Sequence, residues 1–144
     1  MTRYRMLEAN AAFWRPSNQM GVDNTDLARQ LEQDWLGARL WRLRPGQAST
    51  RHRHFREREL YVLLEGTGRI RIDGDLLTLT PLSAVATEPD AVRQVFNDAD
   101  SDALWLVVGA PREFGSTLEM TPAQLAALYP DGPRALPPEL EPDD

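Results

Sequence analysis

The chain has 144 residues, 42% of them hydrophobic, enough for one core and short of what two ordinary domains need. All 16 basic residues are arginine, and with 22 acidic residues the formal charge is −6, which argues against a phosphate-backbone binder; without lysine there is neither Schiff-base chemistry nor a Gly-Lys-Ser/Thr phosphate loop. The absence of cysteine excludes disulfides, thiolate metal sites and a cysteine nucleophile.

No apolar run approaches the roughly 18 residues of a membrane span, and Met1–Arg5 is not followed by a signal-like apolar segment. A soluble, cytoplasmic protein is expected. Eleven prolines, nine glycines and short apolar runs suit an all-β fold better than a helical bundle.

Along the chain, residues 1–37 read as a lead-in packing on the main body, with one helical candidate over Asp26–Gln33 capped by Thr25 or Asn24. From Ala38 the pattern changes to short strands: 38–43, 60–64, 68–73, 75–79, 84–87, 92–96 and 103–108. Arg69-Ile70-Arg71-Ile72 alternates strictly, placing Ile70 and Ile72 inward, and the Asp73-Gly74 pair predicts a two-residue type I′ hairpin turn. The continuous apolar run Ala103–Val108 predicts a strand covered on both faces, by a second layer or a partner subunit. The barrel region is therefore bounded at 38–110. Residues 111–144 read as a C-terminal helix followed by a tail rich in proline and acid. Thr121 caps that helix, Pro122 occupies its first position and Gln124 completes a capping box. The tail is expected as a solvated extension or an arm laid on a neighbouring chain.

The two histidines, His52 and His54, are separated by one residue, so in an extended segment both imidazoles project from one face. Glu59 follows at the start of the next apolar run. Two imidazoles and a carboxylate form a donor set suited to one divalent transition metal, Mn, Fe, Ni, Zn or Cu, with positions left open for water or substrate. The competing reading places His-Arg-His in a solvated, arginine-rich loop over 51–58.

Spacing goes further. Gly46, His52, His54, Glu59 and Gly66 fit the pattern G-x5-H-x-H-x3–4-E-x6-G, which resembles the first motif of the cupin superfamily, in particular its small single-domain members. The resemblance covers roughly Ala38 to Gly109 and implies an all-β jelly-roll barrel of six to eight strands, usually a homodimer, with the metal inside. The second cupin motif is only partly present. Gly74 and Pro81 resemble its beginning and Asn97 its end, but Arg93 stands where the family places its fourth ligand, a histidine. A guanidinium stays protonated and offers only donors, so Arg93 cannot ligate a metal.

Two readings follow. Either His52, His54 and Glu59 hold the metal while Arg93 orients a small anionic metabolite, or Arg93 replaces the charge of the metal, pairs with Glu59 and leaves a noncatalytic, metal-free binding barrel. The first is favoured, because a barrel without an ion has little need of this donor set. Alternation could instead turn Arg93 outward and bring Gln94 inside. The resemblance admits dioxygenation, isomerisation, decarboxylation or simple binding, with Glu57 and Glu65 as candidate bases and Trp41 as a pocket-lining aromatic. Trp105 is a further pocket or interface candidate.

Three other motifs have structural explanations. Gly66-Thr67-Gly68 is a turn, since no helix follows it. Asp98, Asp100 and Asp102 lack the glycine and closing glutamate of a calcium loop. A serine triad fails because no third histidine exists. A last reading, with less to recommend it, uses Glu139–Asp144 as a docking arm for a structural partner.

Overall fold

A computed structural model describes residues 3–113 and 117–142. Among the described residues, nine antiparallel strands form two sheets. The larger has the order β1 (Trp14–Pro16), β2 (Asp23–Asp26), β3 (Gly37–Leu43), β9 (Ala103–Ala110), β4 (Arg58–Glu65) and β7 (Ala84–Thr87). The smaller has the order β6 (Asp75–Leu79), β5 (Gly68–Ile72) and β8 (Arg93–Phe96). Bridges from Ala48 to Phe96 and from His52 to Arg93 lay the segment 48–54 along the free edge of β8. The architecture is the expected jelly roll.

Alternation builds the core. Along β9, Ala103, Trp105 and Val107 are buried between the sheets while Leu104, Leu106 and Val108 alternate to the outer face, only partly covered. The expectation of a strand covered on both faces is therefore met on one face only. Trp105 is fully buried and packs edge-on against Tyr61, so it serves the core and not a pocket or an interface. Leu43, Leu63, Ile70, Leu79 and Val95 complete this cluster, with Ile72 packed at its margin.

The β5–β6 hairpin has the predicted two-residue connection, Ile72 pairing with Asp75. Only Asp73 takes a positive φ, at 51°, so the turn departs from type I′, which needs positive φ at both central residues. Gly66 has φ +84°, and a Cβ there would stand 2.2 Å from the Asp102 carbonyl oxygen. Only glycine fits this position of the motif.

Two parts of the chain differ from expectation. Asn24 and Thr25 lie within the strand of residues 23–26 and do not cap a helix, because Asn24 anchors this polar stretch through bonds from its amide to the carbonyls of Arg15 and Val22. The helix shrinks to one turn, α1 (Leu27–Gln30), capped by Asp26 and not by Thr25 or Asn24. The tail, in turn, lies on its own barrel. After α2 (Pro122–Leu128), which has the predicted cap, proline and capping box, Leu128 and Tyr129 are buried. Gln94 donates to the Ala135 carbonyl and Arg71 pairs with Glu139, tying the tail to the outer face of the smaller sheet. Asp143 and Asp144 lie outside the described residues. Among the described residues, no helix is long and apolar enough to cross a membrane.

Candidate metal centre

The segment 48–54 positions the histidines. Reciprocal backbone bonds join His52 and Arg93, at 3.0 and 2.8 Å, and the extended backbone turns His52 and His54 to the same side. Their rings stand perpendicular with centroids 5.0 Å apart. Glu59 enters from β4 across the barrel, and one ligand atom from each of the three lies within 4.8 Å of the others. The solvated-loop reading of 51–58 does not hold for these side chains, since His52, His54 and Glu59 are between 12 and 18% exposed.

The hydrogen bonding fixes which nitrogens face the centre. Nδ1 of His52 lies 3.0 Å from the Thr50 carbonyl and donates to it, which leaves the Nε2 lone pair pointing towards Glu59, 3.4 Å from Oε1. Nδ1 of His54 sits between two carboxylates, 3.2 Å from Glu57 and 3.4 Å from Glu113, and its Nε2 is 3.2 Å from Glu59 Oε1. No contact of this buried ring is aligned as a full hydrogen bond, but both nitrogens lie within ion-pair distance of carboxylates. Two ring nitrogens and a carboxylate thus converge on one point, a donor set that a divalent transition metal could satisfy once the imidazoles are neutral. His52, His54 and Glu59 could hold such an ion.

Glu59 is the electrostatic hub. Its Oε1 accepts from the Tyr61 hydroxyl at 2.9 Å and from Nε of Arg93 at 3.2 Å. Burial alone would raise its pKa, but the adjacent imidazoles outweigh this and hold the carboxyl well below its ordinary value. Burial likewise opposes charging of His54, yet Glu59 and Glu57 together raise its pKa.

Arg93 points inward, as one of the two alternatives required, and is fully buried. It does not reach the cavity surface, however. Its Nη1 donates to the carbonyls of Pro89, at 2.9 Å, and of Ala91, so the guanidinium is built into the barrel wall behind Glu59 and not displayed to a ligand. Gln94 alternates to the opposite face and donates to the Ser49 and Ala135 carbonyls, both at 2.8 Å, which removes it from the centre. Glu65 lies at the far end of β4, 65% exposed and facing Arg42, too remote to act as a base here. Glu57 and Trp41, by contrast, both line the cavity that opens from the histidines.

That cavity has a volume of about 930 Å³. Glu57 reaches into it because Gly109, paired with Gly37 across β3 and β9, has no side chain; a Cβ on Gly109 would stand 2.8 Å from the Glu57 carboxyl carbon. Burial, together with the neighbouring charges of Glu59 and Glu113, pushes the Glu57 carboxyl up to about 7 despite His54. Glu113 accepts from the backbone N–H groups of Phe55 at 3.1 Å, Arg56, and Glu57 at 2.6 Å. Sequence reasoning missed Glu113, Tyr61 and the glycine pair. Only the opposed glycines left a trace in the sequence, as small residues at the ends of two strands.

Comparison with known proteins agrees with this geometry. Residues 39–109 match the family model of the cupin domain. No curated protein matches the sequence. A solved structure from Silicibacter pomeroyi, described as a sugar phosphate isomerase from a cupin superfamily, is 23% identical with a TM-score of 0.68, over 75% of this chain and 76% of that one. A predicted oxalate decarboxylase from Thermotoga maritima is 19% identical with a TM-score of 0.67, over 75% and 100% of the two chains. A cupin protein from Bacteroides fragilis is 23% identical with a TM-score of 0.63, over 94% and 100%. With the jelly roll, the first motif in place and the family model matched across the barrel, the chain belongs to the cupin superfamily.

Proposed function

We propose that this protein is a metal-dependent cupin acting on, or binding, a small anionic metabolite. The observation that carries this reading is the convergence of Nε2 of His52, Nε2 of His54 and the Glu59 carboxylate, all three largely buried, on one point. A bound Mn, Fe, Ni, Zn or Cu ion would supply Lewis acidity and, for the redox-active metals, one-electron chemistry. The chain's own residues do the rest. Thr50 and the Glu57–Glu113 pair orient the two rings, Tyr61 and Arg93 fix Glu59, and Glu57 stands at the cavity surface as the group placed to move a proton. Isomerase-like and oxygenase-like reactions both fit such a site. The names of two relatives by fold, a sugar phosphate isomerase and a predicted oxalate decarboxylase, each refer to small anions and support the substrate class.

Metal analysis of purified protein tests the reading. Near-stoichiometric transition metal is expected, lost in a His52→Ala/His54→Ala double variant; protein that neither contains nor takes up Mn, Fe, Ni or Zn would refute it.

One contact favours a second reading. Arg93 Nε, fully buried, lies 3.2 Å from Glu59 Oε1 and already supplies a positive charge to the carboxylate. In that case the barrel is a metal-free binding module. A homodimer is also proposed, since Leu40, Leu60, Val62, Leu104, Leu106 and Val108 share the outer face of the larger sheet, with Leu60 43% exposed. Sedimentation at micromolar concentration separates dimer from monomer.

A further inference from the structure

The wall of the cavity away from the histidines is built from arginines. Arg15 on β1, Arg29 on α1, Arg39 on β3 and Arg112 just beyond β9 all line it. Among the described residues, the carboxylates lining the cavity are Asp26, Glu57, Glu59 and Glu119. Glu57 and Glu59 face the histidines, and Asp26 pairs with Arg39. Arg15, Arg29 and Arg112 are exposed, so an anion entering the cavity can reach them from solvent.

Arg39 stands at the centre. It projects from the inner face of β3 and is held there by Asn24 Oδ1 at 2.9 Å and Asp26 Oδ2 at 3.0 Å, with 28% of its side chain exposed. Burial lowers its pKa and Asp26 opposes this, while Arg112, Arg15 and Arg29, which line the same cavity, add to the lowering. A pinned guanidinium beside others on one cavity wall suits a tetrahedral or planar oxyanion, which arginine recognises through paired N–H donors.

Placement relative to the metal centre follows from strand register. Glu59 pairs with Gly109, Gly109 with Gly37, and Arg39 lies two residues further along the same face of β3. Strands about 4.8 Å apart with a rise of about 3.4 Å per residue put the Arg39 and Glu59 Cα atoms roughly 12 Å apart.

We infer that the cavity is a two-ended site: the arginine rim of Arg15, Arg29, Arg39 and Arg112 binds a dianionic headgroup of the phosphate-monoester class, at the end of the ligand opposite the His52–His54–Glu59 centre. Three exposed guanidiniums beside a pinned one offer the paired N–H donors that a phosphate dianion takes. The inference deepens the metal-dependent reading but does not depend on it, because the rim and the metal ligands share no residue.

The test is calorimetric titration of the purified protein with inorganic phosphate, with acetate and chloride as controls. An Arg15→Gln/Arg29→Gln/Arg112→Gln variant leaves the bonds of Arg39 to Asn24 and Asp26 in place, and a thermal melt checks that it folds. This variant is expected to lose phosphate affinity roughly tenfold or more, with metal content unchanged. The His52→Ala/His54→Ala variant is expected to keep phosphate binding while losing metal. Phosphate that binds the triple variant as tightly as the parent, or that binds neither protein, overturns the rim. Binding lost only in the histidine variant places the phosphate on the metal and overturns it too. A metal-free parent that still binds phosphate through the rim would sink the metal reading alone.

Discussion

Replacing Glu113 with alanine removes the acceptor for three successive backbone N–H groups, those of Phe55, Arg56 and Glu57, in the turn between His54 and Glu59. Phe55 and Arg56 are exposed, so water can take up their freed donors and each loss costs about 1 kcal/mol or less. Glu57 is 7% exposed, and its N–H, bonded at 2.6 Å, would be stranded at a cost of about 1–2 kcal/mol. The sum is about 2–3 kcal/mol. For a chain of 144 residues this corresponds to a fall in Tm of roughly 6–10 °C. Glu113→Gln keeps one amide oxygen where Oε1 accepts from Arg56 and Glu57, so it should lose less than half as much. Urea unfolding followed by tryptophan fluorescence gives the two values. Because His54 Nδ1 faces Glu113, both variants should also bind metal more weakly, by roughly tenfold for alanine. An alanine variant as stable as the parent, or a glutamine variant no better than alanine, would refute the role assigned to Glu113.

Gly66→Ala is expected to destabilise by about 3 kcal/mol or more in chemical denaturation without altering metal content, because its Cβ would stand 2.2 Å from a backbone oxygen at φ +84°. Arg93→His offers a fourth nitrogen donor but strips Glu59 and the carbonyls of Pro89 and Ala91 of their partner, so the metal-free variant should lose about 3–5 kcal/mol. Added zinc or manganese should then recover stability; a melt indifferent to metal would contradict the ligand geometry. Arg71→Gln should free the tail, read as faster amide exchange around Ala135 and Leu140 with the barrel unaffected. Arg71 holds the Glu139 carboxyl below its ordinary value, so the same release should occur in the parent as pH falls through the pKa of the folded state.

Periodicity made the barrel legible. Strands β3 to β9 were readable because each carries alternating or continuous apolar residues between turn signals, and Ile70 and Trp105 fall where that alternation puts them in the core. Strand β2, Asp23-Asn24-Thr25-Asp26, has no apolar pattern to read. It is a strand because of what Asn24 bonds and because β3 offers an edge, both of which are tertiary facts. The three candidate ligands were visible through the spacing of Gly46, His52, His54, Glu59 and Gly66, which resembles the first cupin motif, and an extended segment carries His52 and His54 on one face. Glu113 and the arginine rim were not. They come from residues up to 97 positions apart, Arg15 and Arg112, that only the closed barrel brings around one cavity.

Arginine in place of the family's fourth ligand changes the charge balance of the centre. A histidine at position 93 would add a neutral donor, whereas Arg93 adds a fixed positive charge bonded to Glu59 and to two main-chain carbonyls. Glu59 then contacts two imidazoles, Tyr61 and Arg93 at once, and the imidazoles hold its carboxyl well below its ordinary value although it is buried. A metal entering this pocket meets three donors and an adjacent cation, so it would be held less tightly and be left with more net positive charge than a four-ligand site provides. An anion in the cavity would offset that surplus charge. A centre that is incomplete on the protein side is thus best matched by a ligand that brings its own negative charge, and the cavity beside His52 and His54, with Glu57 at its surface, is where such a ligand would bind.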